Sequence, residues 1–506
     1  MIETATDYKS LYEESTLEIV SLKHEIANLK RLIFGSKSES FIAQNTPSTQ
    51  LTLDIQAEAV ATCSVIKAQK IEYTRQQLEI KKNPACRTGR HPGRTQLPEH
   101  LERREFIIEP LQKAEGCKKI GDEVTEELEY EPGKLFVNRY VRPKYVVADN
   151  SEIIIAPMVD RPLPKAIVGP GLLAQIIIDK YVDHLPLYRQ EQRFKREGVN
   201  IAYSTISDWI KNGCALLDPL GEALKKIVIS SDYLHADETP IKVLDKNKKD
   251  TSAGSVHCGF YWVYHNSIDN LVWFDYRQGR GREGPNEMLK DFKGYLQTDG
   301  YNVYDIFKEN KEITVVHCMA HARRKFFEAK NNNPAIAEYA LEQIGLLYAI
   351  ERKAKEQQLT TDEIFELRQS EAVPILESLG KWMKETYVSS LSKSTIGKAL
   401  GYSIQRWSEL MIYASDGKLN IDNNPVENSI RPVAIGRKNY LFTGSHEAAG
   451  RSAMLYSLLG TCKLNSINPF IWLQDVLRRI SNHPINKIEE LLPQNWKPLA
   501  YDFILN

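Results

Sequence analysis

Three carboxylates far apart in the chain, Asp237, Asp299 and Glu427, have the clearest capacity for joint chemistry. Asp237 follows "YLHA", and Asp299 follows "GYLQT" and precedes Gly300, so both are expected at strand ends. Glu427 lies in "IDNNPVENSIRP", which reads as a helix start. There Asn424 suits the N-cap, Pro425 the first helical position and Glu427 the third, close to a capping box. Glu427 therefore has two readings, helix cap or functional acid. A lone strand-end Asp is commonly a turn residue. The set of three says more. Carboxylates brought within a few ångströms repel unless cations neutralise them. Mg²⁺ prefers oxygen ligands and accepts one or two carboxylates plus waters and phosphate oxygens. Two such ions ~3.5–4 Å apart activate an attacking hydroxyl and stabilise the leaving oxygen of a phosphodiester. Such a site cuts or rejoins nucleic-acid strands. Consecutive strand side chains point to opposite faces, so Glu238 is not expected to share the site with Asp237.

The elements around these acids read as an α/β domain. "DYLHADETPIKVL", "GFYWVYHN" and "LVWFDYR" are strand-like, with hairpin turns between them. "GPNEMLKDF" reads as a helix, "GYLQTDGYNVY" and "ITVVHC" as further strands, and a helix begins near Met319. Three strands, helix, strand, short helix, strand and helix suit a mixed sheet. The stretch between Asp299 and Glu427 is long for a simple crossover, and about 330–415 reads as a helical insertion. Pro432 predicts that the Glu427 helix is short or kinked.

Upstream, Tyr8, Tyr12, Ser15, Ile19, Leu22, Ile26, Leu29 and Ile33 form an a/d seam. Residues 1–35 are expected to be a leucine-zipper-like coiled coil, and 36–84 a linker. Lys81, Lys82, Arg87, Arg90 and Arg94 follow with no acid among them, in a Gly- and Pro-broken stretch suited to phosphate contacts or a solvated loop. Residues 85–160 read as a small β-rich module, with "KLFVNRYVRPKYVV" alternating like a strand. Residues 165–228 read as helices with a break at Gly198 and a third helix capped by Ser204 or Thr205, burying Ile206, Trp209 and Ile210. This is a helix-turn-helix-like candidate for binding DNA, against plain helical packing. Residues 229–450 are expected to form the domain that carries the three acids, and 451–506 a C-terminal helical region.

The chain has 506 residues, 42% hydrophobic and 26% charged, with 66 basic against 66 acidic side chains. The balance excludes a uniformly basic protein, so a nucleic-acid surface requires local segregation of charge. Seven scattered cysteines without a CxxC pair suit a reducing cytoplasm. No apolar run approaches the ~18 residues that span a bilayer, and no signal peptide is expected.

Several ordered motifs, "FGSKSES", "RHPGRTQLPEHLERRE", "HADETPIKVL", "LQTDGY", "HCMAHARRKF", "DNNPVENSIRPVAIGRKNYLFTGS" and "SLLGTCKLNSINPFIWLQDVL", together resemble the large transposase of the IS66 family of bacterial insertion sequences, a DDE-type transposase. The likeness covers nearly the whole chain. It implies an RNase H-like catalytic domain with Asp237, Asp299 and Glu427 as the three acids, holding two Mg²⁺ or Mn²⁺ ions. It implies binding of terminal inverted repeats, cleavage to a 3′-hydroxyl and transfer of that end to target DNA. The alternative is a catalytically inactive, transposase-derived DNA-binding protein. Arg323, Arg324 and Lys325 before the third acid, and Arg431, Arg437 and Lys438 after it, are candidate phosphate contacts beside a solvated basic face. The implied partners are element-end and target DNA, a second copy of the chain, and small accessory proteins of the same element. The implied location is the bacterial cytoplasm, at the nucleoid. Relatives often carry a zinc knuckle in the N-terminal module. Here only Cys86 and Cys117 stand, so that module is expected to fold without zinc. Cys318 and His321 have CxxH spacing but no adjacent third and fourth ligands.

Overall fold

The computed structural model describes residues 166–245 and 256–498, with short stretches between 133 and 163. All lie in the unit spanning Tyr130–Asn506. The expected coiled coil, the linker and the basic run with Arg87, Arg90 and Arg94 lie outside the described residues, as does most of the 85–160 module. What is described there is an antiparallel pair, β1 (Lys144–Val146) with β2 (Ile153–Ile155). The alternation beginning at Lys134 predicted a longer strand, but residues 135–138 are not in one.

Three helices follow: α1 (Pro170–Tyr181), α2 (Leu187–Arg196) and α3 (Tyr203–Ile229). Pro170 opens α1, where its missing N–H costs no hydrogen bond. Arg193 of α2 pairs with Asp179 of α1. Gly198, at φ +79°, turns the chain into α3 in a conformation that side chains with a Cβ disfavour. The cap expected from Ser204 or Thr205 is not formed. The helix begins at Tyr203 behind an extended Ala202, with no side-chain cap. Packing fixes the start instead, because Ile206, Trp209 and Ile210 are buried.

The sheet holds five strands: β3 (Tyr233–Leu244), β4 (Val256–Asn266), β5 (Leu271–Arg277), β6 (Gly294–Thr298) and β7 (Ile313–His317), in the order β5-β4-β3-β6-β7. The first three are antiparallel; β6 pairs parallel to β3, and β7 parallel to β6. A short helix, α4 (Glu283–Met288), makes part of the crossover from β5 to β6. The mixed sheet read from the sequence is therefore present, with strands close to the expected segments. Tyr261, Trp262, Val263 and Tyr264 are consecutive and all buried. Both faces of β4 are covered there, so its sequence runs apolar rather than alternating.

The chain leaves β7 through α5 (Met319–Ala329), α6 (Pro334–Glu356), α7 (Thr361–Leu367), α8 (Val373–Val388), α9 (Thr395–Gln405) and α10 (Trp407–Met411). These build a second core from Ile344, Leu347, Leu376, Leu379, Met383 and Leu400. The chain then returns as α11 (Asn424–Asn439), α12 (His446–Leu464) and α13 (Pro469–Arg479). Helix α12 protects the edge strand β5: Ser457 Oγ accepts from Phe274 N at 2.8 Å and Thr461 Oγ1 from Val272 N at 3.4 Å. No described helix is long and apolar enough to cross a membrane.

One buried cation organises the return. Arg368, in a π-helical turn between α7 and α8, is 2% exposed. Its guanidinium donates to both carboxylate oxygens of Glu351, at 2.9 and 2.7 Å, and to the carbonyls of Tyr413, Asp416 and Leu419 at 2.8–2.9 Å. Those carbonyls belong to the stretch leading into α11. Arg368→Ala leaves Glu351 and three carbonyls without this donor. It is expected to cost about 3–5 kcal/mol of unfolding free energy in urea titration; a loss below about 1 kcal/mol contradicts this role.

Candidate active site

Asp237 and Asp299 meet by strand register. His235 of β3 lies opposite Gln297 of β6. Continued by two residues, that register sets Asp299, just past the end of β6, beside Asp237 on a strand ~4.8 Å away. Asp237 Oδ1 accepts from Glu238 N at 2.8 Å. Asp299 forms a tight turn, its Oδ1 accepting from Tyr301 N at 2.8 Å, with Gly300 at φ +87°. The turn is braced from α9: Tyr402 donates to the Asp299 carbonyl at 2.9 Å, and Arg406 Nη2 to the Gly300 carbonyl at 3.1 Å. A Cβ on Gly300 would stand 2.8 Å from Arg406 Nε.

Glu427 arrives on α11, with two corrections to its expected setting. Asn424 is the first helical residue, not the cap; Asn423 holds the cap position without a side-chain cap bond. Glu427 therefore stands in the fourth position, beyond capping-box reach, and its carboxylate does not serve the helix end. Asp422 satisfies that end, accepting from Asn424 N at 3.1 Å and Asn424 Nδ2 at 2.7 Å. Nor is α11 short: it runs 16 residues through Pro432.

What ties α11 to the aspartates is the segment Asn420–Asn423. Asn423 is fully buried. Its Nδ2 donates to the Ala236 carbonyl at 3.0 Å, one residue before Asp237, and its Oδ1 accepts from His235 Nδ1 at 2.9 Å. Asn420 Nδ2 donates to the other ring nitrogen of His235 at 3.1 Å, and the Asn420 carbonyl accepts from Gln297 Nε2 of β6 at 2.8 Å. This pattern needs a neutral His235, and burial holds its pKa down to about 3. Asn423 N donates to Cys318 Sγ at 3.1 Å and Met319 N to the Ile421 carbonyl at 3.1 Å, so the start of α5 is fastened too. Cys318, read as half of a CxxH pair, is a buried thiol pushed up to about 12, chiefly by burial. Further along α11, Ser429 Oγ and His265 Nδ1 of β4 lie 3.0 Å apart.

These ties frame a cleft of about 330 Å³ bordered by Asp237, Glu238, His321, Arg324, Glu427 and Arg431. Asp237 carries the strongest electrostatic mark. Burial first, then the charges of Asp299, Glu238 and Glu427, push its carboxyl up to about 8. Each of the other two acids thus acts on Asp237. Glu238, expected on the opposite face, also borders the cleft, but its carboxylate is engaged by Arg280 at 2.9 and 2.5 Å. Arg280 in turn lies over the Tyr301 ring, 4.2 Å from its centre. Among the described residues, no three His, Cys, Asp or Glu side chains are close enough together to hold a metal ion by themselves.

The candidate cations separate. Arg324 and Arg431 border the cleft; Arg323, Lys325 and Lys438 are exposed. Arg437 is half-buried and its guanidinium donates to the Pro240 carbonyl. The residue-type reading missed His321 as a cleft residue. Its Nε2 lies 4.0 Å from Glu427 Oε1, and its Nδ1 is buried without a hydrogen-bond partner. Burial lowers its pKa, against the opposing charges of Asp299 and Glu427. Also missed were Asn423, Tyr402 and Arg406. The only signal was an amide-rich run before a helix and a His inside an apolar strand. Asn423→Asp loses the donor to the Ala236 carbonyl and buries a charge. It is expected to cost at least about 2 kcal/mol in urea unfolding; an equally stable variant contradicts the clamp.

Residues 165–451 match the transposase IS66 family, residues 457–494 the IS66 C-terminal element, and residues 21–106 a segment described as the transposase C of IS166 homeodomain. That last span includes Arg87, Arg90 and Arg94. Among similar proteins of Sinorhizobium fredii, uncharacterized protein y4hP is 31% identical, covering 95% of this chain and 89% of its own length. Uncharacterized protein y4jD is 30% identical, covering 96% of each. The chain belongs to the IS66 family of transposases.

Proposed function

We propose that this protein is a DDE transposase that binds the terminal inverted repeats of its element and catalyses metal-dependent DNA cleavage and strand transfer. Family membership carries transposition and DNA binding. The observation that carries the chemistry is Asp237, a buried carboxyl whose pKa is raised by both Asp299 and Glu427. Uncompensated negative charge gathered from β3, the end of β6 and α11 supports a site built for cations. The sheet order, three antiparallel strands followed by two parallel ones, supports reading the domain as RNase H-like.

The donor set suits Mg²⁺ or Mn²⁺ by its chemistry: all three donors are carboxylates, and Mg²⁺ takes one or two carboxylates and completes its shell with waters and substrate phosphate oxygens. Asp237, Asp299 and Glu427 would hold the ions. When bound, two such ions activate an attacking oxygen and stabilise the leaving one. The rest falls to the chain. Arg324 and Arg431, on opposite helices of the cleft, position the scissile phosphate by contact with its oxygens. His321 stands against Glu427 and limits its swing. The Asn423 clamp fixes the height of Glu427 against Asp237. Water attacks first and leaves a 3′-hydroxyl; that hydroxyl then attacks target DNA, with no covalent protein–DNA intermediate. The chain acts as an oligomer on paired ends in the bacterial cytoplasm.

Asp237→Asn is expected to reduce Mg²⁺-dependent nicking of element-end DNA by more than about 10³-fold, with end binding in a gel shift nearly unchanged. Retained nicking removes Asp237 from the site; end binding without any nicking by the natural protein favours the inactive DNA-binding alternative. A second expectation concerns pH. The carboxyl of Asp237 is raised in the folded protein, so the native state holds a proton that the unfolded chain has released. Its stability contribution therefore falls as pH rises from about 4 to about 8. In metal-free buffer Asp237→Asn should melt above the natural protein at pH 8, and the gap should close towards pH 4. A gap independent of pH contradicts the electrostatic reading.

A further inference from the structure

From Arg431 at the border of the acidic cleft, α11 carries an exposed stripe onward that the fold does not use. From Glu427, the positions Arg431, Ile435 and Lys438 follow at spacings of four, four and three, which keeps them on one side of the helix. All three are exposed, Ile435 by 50%, while Val426, Ile430 and Val433 face the core. No ion pair among the described residues engages Arg431 or Lys438. The stripe ends at Tyr440, which turns back: its hydroxyl bonds that of Tyr456 on α12, and the same hydroxyl oxygen occupies the space a Cβ on Gly436 would need. Three residues later, at Thr443, the chain is pinned again. Thr443 N donates to the Lys242 carbonyl and Leu244 N to the Thr443 carbonyl, both at 2.8 Å, so Thr443 adds a parallel bridge to β3. Between these anchors, Leu441 and Phe442 project, 67% and 47% exposed.

Single exposed apolar residues need no account, but a large adjacent pair held out by anchors on both sides does. The neighbours fix the kind of partner. Lys438 and Lys242 are exposed beside the pair, and Arg431 lies between it and the acids. Cations flanking projecting Leu and Phe match a duplex: phosphates on the cations, apolar side chains wedged between base steps. We infer that Arg431, Lys438 and the Leu441–Phe442 projection form a DNA track, with the two apolar side chains entering the base stack away from the cleavage site. Helical rise sets the spacing. Glu427 to Lys438 is roughly 17 Å at 1.5 Å per residue, about five base pairs at ~3.4 Å per step. The wedge opens the duplex there and holds the bend that delivers one strand to the acids. This inference rests on the reading of the cleft as a DNA-cutting site.

The test uses the full chain, relaxed plasmid DNA and a magnesium-independent topoisomerase in EDTA, conditions under which metal-dependent cutting is absent. The natural protein should lower the plasmid's linking number in proportion to protein bound. Leu441→Ala/Phe442→Ala should bind the plasmid with less than about tenfold weaker affinity and lose that shift. Lys438→Ala should keep the shift and reduce the salt slope of binding by about one. Both changes are at exposed positions, and circular dichroism checks that each variant folds. An unchanged shift in the double variant overturns the wedge, as does plasmid binding by the natural protein with no shift. A change in oligomeric mass by light scattering, with the shift retained, assigns the pair to a protein contact and overturns it equally. If nicking by the natural protein fails while the shift is present, only the cutting reading falls.

Discussion

The arrangement depends on a hydrogen-bonded clamp made by the segment Asn420–Asn423. Its amides and carbonyls reach β3 at His235 and Ala236, β6 at Gln297, and the head of α5 at Cys318 and Met319. Three elements remote in sequence are joined within a few residues of Asp237, Asp299 and His321, and α11 starts where the clamp ends. Buried polar networks of this kind are either fully satisfied or costly. This one is satisfied only with His235 neutral, which burial ensures. The helices between β7 and α11 add a second restraint. Arg368 gathers the returning chain, and Tyr402 and Arg406 brace the Asp299–Gly300 turn from α9.

Within that frame, charge is distributed unevenly. Glu238 is matched by Arg280, and Arg280 is held by Tyr301. Asp237 has no such partner, only a backbone N–H and the repulsion of neighbouring acids. That contrast between adjacent residues on one strand is why we propose Asp237, and not Glu238, as the acid that meets a cation. Arg324 and Arg431 then stand at the borders of the cleft, where they can meet phosphate without neutralising the acids themselves.

Much of the fold was legible because its signals are local. Apolar runs bounded by turn residues marked β3 to β7, and periodicity marked α1 and α6. The five strands fell close to their expected places for that reason. The errors were also local, and tertiary packing caused them. The start of α3 follows the burial of Trp209 rather than a Ser cap. Asn424 looked like a cap, but Asn423 occupies the cap position and spends its side chain on β3. The alternation rule set Glu238 apart from Asp237, yet both border one cleft. The pairing of the acids needed strand register, and the roles of Asn423, Tyr402 and Arg406 needed contacts between residues more than a hundred positions apart. No single-sequence pattern carries those.

The most direct test of the account is anomalous diffraction from crystals of the protein with element-end DNA and Mn²⁺. The account predicts two manganese peaks about 3.5–4 Å apart, held by Asp237, Asp299 and Glu427 together with the DNA phosphate. Ordered DNA in the cleft with no manganese at these carboxylates, or manganese bound only elsewhere, would contradict it.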